Sequence, residues 1–386
     1  MPASRTIAGT GPASRAGRAP GRVRVRWRAG TPPPVLVEAR RGETVESRHR
    51  GSIVVVDPHG AIEHLLGDPG TVVSLRSCAK PFGLVAFVES GAADAFGLTP
   101  AELAICAASH SGEDLHVRTL QAILRRAGIG QSLLACGTEN APIDQMTAMR
   151  LTRDGERPGP IRHGCSGQHV SHLLLSKHAD WPLEEYWRPE HPSQVAFRGA
   201  LARVFGVHPD QLETAVDSCG VLTYAFPLVE VARAYAVLAD PPVAATDPVR
   251  RGMVPALMRV RDAMLAAPDM VAGTRDRPDT AIMKALPRRL VSKSGAEGLR
   301  GIALLPGSRG ESKPSGGVAI TIEDGDPLGR AGRAVAVETL RQLGVLAGEP
   351  LRRLAAYHRP PLHDPRGAVV GEAVSVFDLA PIAELS

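Results

Sequence analysis

A serine and a lysine three residues apart are the first residues of this chain that could do chemistry. Ser77 and Lys80 stand where an apolar run gives way to a predicted helix. On one helical turn the hydroxyl and the amine share a face, and a neutral lysine amine can accept the serine proton and make the hydroxyl a nucleophile. The pattern predicts a catalytic Ser–Lys pair.

Lysine is rare in this sequence, so a Ser-x-x-Lys pattern is less expected by chance. The chain has five lysines among its 45 Lys and Arg residues, and of these five Lys80 alone follows a serine by three positions. The guanidinium of arginine stays protonated, whereas the pKa of a lysine amine can be lowered until the amine acts as a base. Each lysine is therefore a candidate for proton transfer.

Two further motifs follow in chain order, Ser109-His110-Ser111 and Lys293-Ser294-Gly295. The order of the three motifs is that of penicillin-recognising serine acyl enzymes, in which Ser-x-x-Lys is followed by Ser-x-Asn and Lys-Ser/Thr-Gly. Ser111 stands where that pattern has Asn. A Ser–Lys pair on a helix would then face a second hydroxyl and a lysine on a strand, whose amides can stabilise an oxyanion.

Strands are predicted at both ends of the folded chain, and helices between them. β-Branched runs bounded by turn residues predict strands at 35–38, 46–57, 61–66, 289–292, 301–305 and 316–323. Helical spacing predicts helices at 82–90, 99–108, 115–127, 146–153, 170–178, 194–205, 222–238, 250–267 and 330–346. This order favours an α+β fold, in which an antiparallel sheet is assembled from the chain termini, with packed helices and a helical insertion.

The charge of the chain is concentrated at its start. Residues 1–30 hold seven arginines and no acidic residue, so the formal charge of +5 leaves the remainder near −2. We predict a disordered Arg/Pro/Gly-rich tail over 1–34 and one catalytic domain over 35–386, whose central part, about 95–288, is mainly helical. Without a basic stripe in the body, specific nucleic-acid binding is not expected.

The cysteine count and the hydropathy predict a cytoplasmic protein. Five cysteines in a long chain favour free thiols in a reducing compartment. The first residues lack the apolar core of a signal peptide, and no run approaches the length of a membrane span. We therefore expect no membrane partner.

Five short motifs in the same order resemble the asparaginase II family of the Rhizobium etli type, over about residues 35 to 345. They are Arg-Ser-x-x-Lys-Pro from Arg76, Ser-His-Ser-Gly-Glu from Ser109, Cys-Ser-Gly-x-His from Cys165, Asp-x-Cys-Gly from Asp217 and Lys-x-Gly-Ala-Glu-Gly from Lys293. The resemblance implies hydrolysis of L-asparagine to L-aspartate and ammonia. It also implies a fold similar to serine β-lactamases and glutaminases, and a homodimer.

The resemblance assigns roles to residues at the matching positions. The implied catalytic residues are Ser77, Lys80, Ser109 and Lys293. Arg76 and Asp217 are expected to flank the site and to anchor the zwitterionic end of the substrate. The expected mechanism is double displacement, and the sequence leaves open which serine attacks first. We favour Ser77 with Lys80 as its base, because one helical turn fixes their geometry.

The resemblance also implies a zinc site, and here the sequence departs from the family. Cys165 and Cys219 match two thiol ligands, but Gln168 replaces the lysine that completes the family's site. His169, four residues after Cys165, could supply the missing donor on a helix. Either a weakened zinc site or none is compatible with this pattern, and Gln168 and His169 are alternatively expected to bind substrate.

Three other functions remain open on the sequence alone. The motif order suits a penicillin-recognising acyl enzyme. A glutaminase is a close rival, because one methylene in a pocket is worth only about 1–3 kcal/mol. A non-catalytic relative that binds an amino acid is compatible with the change at Gln168.

Overall fold

The computed structural model describes residues 31–138 and 143–382. The chain divides into two units, Met1–Thr31 and Pro32–Ser386, and the elements below all belong to the second. The predicted disordered tail over 1–34 lies outside the described residues except for 31–34, which have no regular secondary structure.

The main sheet is built from both ends of this unit. Its strands run in the order β10-β11-β1-β2-β9-β8-β7, with β3 also paired to β2, and its neighbours are antiparallel. The strands of the described residues are β1 (Val35–Arg41), β2 (Thr44–Val56), β3 (Ile62–Leu66), β4 (Val72–Ser74), β5 (Glu213–Val216), β6 (Leu222–Pro227), β7 (Leu290–Ser294), β8 (Arg300–Leu304), β9 (Gly316–Ile322), β10 (Pro361–His363) and β11 (Val369–Ser375). The α+β prediction is confirmed.

The strands predicted at 46–57 and 61–66 are both present and form a hairpin at the start of the sheet. β2 and β3 pair antiparallel with Val54 opposite Leu65, and the run that ends β2 is fully buried. The turn between them is closed by Asp57, whose Oδ1 accepts hydrogen bonds from the amides of His59 and Ala61, as expected for an Asx turn.

Helices cover the sheet and fill the middle of the chain. They are α1 (Lys80–Glu89), α2 (Ala92–Ala95), α3 (Pro100–Cys106), α4 (Asp114–Ala127), α5 (Gln145–Arg153), α6 (Ser166–His178), α7 (Pro192–Phe205), α8 (Leu228–Ala239), α9 (Pro241–Ala244), α10 (Pro248–Gly252), α11 (Val254–Ala266), α12 (Pro268–Val271), α13 (Pro278–Ala285), α14 (Ala331–Gln342), α15 (Gly348–Arg353) and α16 (Ala355–His358). Helix α8 lies so close to β9 that a Cβ added at Gly317 would meet the Ala232 carbonyl oxygen at 1.9 Å. One apolar core contains residues of the sheet and of the helices in the middle of the chain.

The helix predicted over 222–238 is wrong in its first third. Residues Leu222–Pro227 form β6, the middle strand of a small sheet ordered β4-β6-β5, and the helix begins only at Leu228. Pro227 disfavours helical backbone in the residue before it, and pairing with β4 satisfies the strand's backbone groups. The correction matters for function, because β4 leads directly into Ser77.

Among the described residues no helix is both long and apolar enough to cross a membrane.

The strands β10 and β11 were not predicted from the sequence. They pair with each other, and β11 pairs with β1, so the last part of the chain extends the main sheet at one edge.

Candidate active site

The stretch that carries Ser77 is fixed to the small sheet. The Leu75 amide donates to the carbonyl oxygen of Tyr224 at 2.7 Å, and the Arg76 amide donates to Oγ1 of Thr223 at 2.9 Å. Arg76 has φ of 45°, a left-handed conformation that is strained in a residue with a Cβ. Ser77 follows in a single 3₁₀ turn that runs into α1.

Ser109 is placed by the end of α3, by the last residue of α12 and by the residue before α13. The predicted start of α3 is confirmed, because Thr99 and Glu102 form a reciprocal capping box. Beyond the end of α3, the amide of Ser109 donates to Val271 at 2.9 Å, and its carbonyl oxygen accepts from Arg277 at 2.6 Å. Its backbone is therefore held on both sides.

Lys293 is fully buried on β7, and its amine contacts Ser109. The Nζ atom lies 2.8 Å from Oγ of Ser109 and 2.8 Å from the carbonyl oxygen of Ser294. Burial, and then the charge of Lys80, lower the pKa of Lys293 to about 7, although the Asp279 carboxylate opposes them. Near neutral pH a large share of this lysine is thus uncharged and able to act as a base.

The amine of Lys80 points to the same serine. It lies 2.6 Å from the carbonyl oxygen of Ala108, 3.3 Å from Oγ of Ser109 and 3.2 Å from Sγ of Cys165. The two buried lysines that were predicted from separate motifs therefore converge on one hydroxyl. Among the charges that lower the pKa of Lys293, that of Lys80 has the largest effect, so it favours the loss of a proton from Lys293.

The sequence predicts a contact between Lys80 and Ser77, but the Lys80 amine has other partners in the structure. Among the described residues, no hydrogen bond of the Ser77 hydroxyl is found, and the Lys80 amine is taken up by Ala108, Ser109 and Cys165. The reason is tertiary. A buried ammonium must be matched by acceptors, and these come from the end of α3 and from α6 rather than from its own turn.

Arg76 and Asp217 form an ion pair beside the lysines. Nε of Arg76 donates to Oδ1 of Asp217 at 2.8 Å, and Nη2 donates to Oγ of Ser218 at 2.8 Å. Both members of the pair line a cavity of about 10 Å³ together with Lys80 and Gln168. That is about the space of one water molecule, so this cavity as it stands is too small to hold an amino acid.

The two site cysteines lie in contact. The pKa of Cys165 is held well below its ordinary value. A hydrogen bond with the Cys219 thiol lowers it most, the charge of Lys80 lowers it further, and burial opposes both. The Cys165 sulfur is therefore a favourable acceptor for the Lys80 amine.

The surroundings of the thiols do not fit zinc. Among the described residues no group of three or more His, Cys, Asp or Glu side chains is placed to hold a metal ion, whereas zinc sites use three or four protein ligands. Gln168 is partly exposed in the cavity and offers only a neutral amide. His169 is fully buried, its Nδ1 is 2.6 Å from the Tyr186 hydroxyl, and burial lowers its pKa to about 3.

His169 also differs from its expected role in substrate binding. It does not line the cavity that contains Gln168, and its fully buried ring packs edge-on against Tyr186 at 5.5 Å. The helix α6 turns Gln168 outward and His169 into the core, as neighbouring positions on a helix do. Its place in the structure is that of a packed core histidine.

Sequence reasoning missed an acidic residue behind Lys293. Asp279, at the start of α13, is 2% exposed and pairs with the buried Arg300 of β8. No short motif marks Asp279, which follows Pro278 and looks like an ordinary first-turn acid. Arg300 could have indicated a buried acidic residue, because a charge in a buried strand requires a buried partner.

The comparisons with known proteins identify the family. The chain matches the model of the L-asparaginase II family over residues 37–375, which is most of its length, and it belongs to that family. No curated protein matches. Membership supports the assignment of the chain as an amidohydrolase.

The similarity of this chain to solved structures is weak. A probable glutaminase of Bacillus subtilis is 14% identical, with 76% of this chain and 88% of that chain covered at a TM-score of 0.37. A structure described as Mglu is 15% identical, with 78% and 69% covered at a TM-score of 0.35. TM-scores this low do not establish a common fold.

Proposed function

We propose that this protein hydrolyses L-asparagine to L-aspartate and ammonia at a double Ser–Lys site. The observation that carries the proposal is the position of the Ser109 hydroxyl, 2.8 Å from Nζ of Lys293 and 3.3 Å from Nζ of Lys80. A hydroxyl between two buried lysine amines is an arrangement for generating an oxygen nucleophile. Membership of the L-asparaginase II family supports an amide as the substrate.

The contacts favour Ser109 as the first nucleophile. Neutral Lys293 takes the proton of Ser109 while Oγ attacks the side-chain amide carbon of asparagine. The carbon–nitrogen bond then breaks, and the ammonium of Lys293 returns the proton to the leaving ammonia. Water, deprotonated by the same amine, releases aspartate from the ester and restores the hydroxyl. The Lys80 ammonium holds Ser109 in place and helps to keep Lys293 uncharged.

Ser77 is the competing nucleophile. It is partly exposed beside Arg76, and its hydroxyl needs a rearrangement of Lys80 before a base can reach it. This preference for Ser109 reverses the order that the sequence favoured, because the Lys80 amine is engaged elsewhere.

The charged end of the substrate is assigned to the Arg76–Asp217 pair. Arg76 would bind the α-carboxylate and Asp217 the α-ammonium, each exchanging its present partner for the opposite charge of the zwitterion. The pair is 22% and 10% exposed at its side chains. It is therefore reachable from solvent, while the lysines behind it are not.

Ammonia release from asparagine and glutamine tests the proposal, and a covalent trap identifies the nucleophile. A diazoketone analogue of the substrate should label the attacking serine, and peptide mass spectrometry should place the label on Ser109. Label on Ser77 alone would overturn the order of attack. Stabilisation by asparagine without ammonia release would favour the amino-acid-binding relative, and covalent labelling by penicillin with nitrocefin turnover would favour the acyl enzyme.

A further inference from the structure

A buried carboxylate clamps the strand residues on either side of Lys293. Oδ1 of Asp279 accepts from Oγ of Ser292 at 2.7 Å, and Oδ2 accepts from the amide and from Oγ of Ser294 at 2.9 and 2.6 Å. Arg300 pairs with the same carboxylate. The lysine between the two serines therefore sits on backbone that one side chain fixes.

The clamp reaches the amine itself through a peptide group. The carbonyl oxygen of Ser294 accepts from Nζ of Lys293 at 2.8 Å. Asp279 holds the amide and the hydroxyl of Ser294, so it also fixes the residue whose carbonyl group binds the lysine amine. Two residues before Asp279, Arg277 donates to the carbonyl oxygen of Ser109 at 2.6 Å. One turn at the start of α13 thus holds both members of the Ser109–Lys293 pair.

We propose that Asp279 is a positioning residue that holds the Lys293 amine against the Ser109 hydroxyl. It touches neither substrate nor the reacting atoms, and it acts through Ser294. Its catalytic consequence rests on the proposed function, whereas its effect on Lys293 does not.

The charge of Asp279 gives the proposal a readout that a purely structural residue would not move. The charged and titratable groups that face Lys293 are Lys80 from α1, Cys78 from the 3₁₀ turn, and Arg277 and Asp279 from the start of α13. Burial, Lys80 and Arg277 lower the pKa of Lys293, while Asp279 and Cys78 raise it. The Cys78 thiol is itself neutral near pH 7, because burial raises its pKa to about 11.

Asp279 is ionised in the folded protein. Although burial opposes its charge, the Arg300 guanidinium and then Lys293 hold the pKa of Asp279 well below its ordinary range. Replacing it by Asn keeps the size of the side chain and removes the negative charge. The pKa of Lys293 should then fall further, because the group that most opposes its burial is gone.

The experiment is NMR of the enzyme containing lysine labelled with ¹³C at Cε. The chain has only five lysines, so the Lys293 signal can be resolved and assigned by its loss in Lys293→Met. In Asp279→Asn the titration of Lys293 should move to lower pH than in the wild type, and in Asp279→Glu it should stay near the wild-type value. A folded Asp279→Asn enzyme with an unchanged Lys293 titration would overturn the proposal.

A matched control and a second variant keep the test decisive. Asp276→Asn removes a surface carboxylate of the same turn, 72% exposed and paired with Arg333, and should leave the titration unchanged. Asp279→Asn leaves Arg300 buried without its charged partner, which is destabilising. The double variant Asp279→Asn/Arg300→Met therefore supplies the same comparison if the single variant does not fold.

Kinetics separate this proposal from the proposed function. If asparagine is the substrate, Asp279→Asn should lower kcat by about tenfold or more with little change in KM, and the acid limb of the pH profile should move to lower pH. If the wild-type enzyme releases no ammonia, the proposed function fails, and the NMR titration still decides whether Asp279 governs Lys293.

Discussion

Replacing Lys293 by methionine should change how stability depends on pH. The lysine is fully buried, and its pKa is lowered from 10.5 to about 7. A change of that size corresponds to a penalty of about 5 kcal/mol on the charged form below neutral pH. The unfolded chain binds more protons at this residue than the folded chain between the two pKa values, so folding stability rises with pH in that window.

The magnitude follows from the same two pKa values. Between pH 7 and pH 9 the wild-type protein should gain about 2 kcal/mol of unfolding free energy from Lys293 alone. Lys293→Met should lack this gain. It loses two hydrogen bonds worth about 1 kcal/mol each but escapes the larger penalty, so it should be more stable than the wild type at pH 6, and the difference should shrink towards pH 9.

Urea unfolding at pH 7 and pH 9, followed by tryptophan fluorescence, measures the effect directly. Lys284→Met is the matched control, because Lys284 is 54% exposed in a surface ion pair with Asp269 and should show the wild-type slope. Equal pH slopes in the wild type and in Lys293→Met would refute the reasoning, since they would mean that Lys293 has the same pKa in the folded and unfolded chains.

Three further predictions concern the substrate anchor, the thiol pair and the core. Asp217→Asn should raise KM for asparagine about tenfold or more with kcat nearly unchanged, in steady-state kinetics; an equal fall in kcat would assign Asp217 to the chemistry instead. Gln168→Lys should retain more zinc through gel filtration than the wild type, measured by elemental analysis, because the lysine would join the two thiols as a third donor; equal zinc contents would show that Gln168 is not what keeps zinc from the site. Gly317→Ala should lower the free energy of unfolding by about 1–3 kcal/mol, because its Cβ meets the Ala232 carbonyl oxygen; urea unfolding at unchanged stability would show that α8 can move away.

Local signals in the sequence were enough for several elements. The β2–β3 hairpin depends on the Asx turn at Asp57, and the start of α3 depends on the capping box of Thr99 and Glu102. Both are made by residues within a few positions of one another, so the sequence contains the whole interaction.

The error at Leu222–Pro227 has the opposite cause. Its apolar run suits a buried strand as well as a helix, and pairing with β4, about 150 residues earlier in the chain, decides between them. Short apolar runs of this kind are assigned by partners that the local sequence does not reveal.

In the candidate site, the sequence identified the candidate catalytic residues, but it did not predict which of them contact one another. The motifs identified Ser109, Lys80 and Lys293, but they paired Lys80 with Ser77. The acceptors that hold the Lys80 amine are Ala108 and Cys165, which come close only in the folded chain. Asp279 escaped detection for the same reason, because its role arises from contacts with β7 and β8.

The central claim is that the Ser109 hydroxyl, activated by Lys293, attacks the amide of asparagine. The most direct measurement is ammonia release from asparagine by the wild type, Ser109→Ala and Ser77→Ala, each shown to be folded. We predict turnover by the wild type and a loss of about a thousandfold or more in kcat for Ser109→Ala. Undiminished ammonia release from Ser109→Ala would contradict the account.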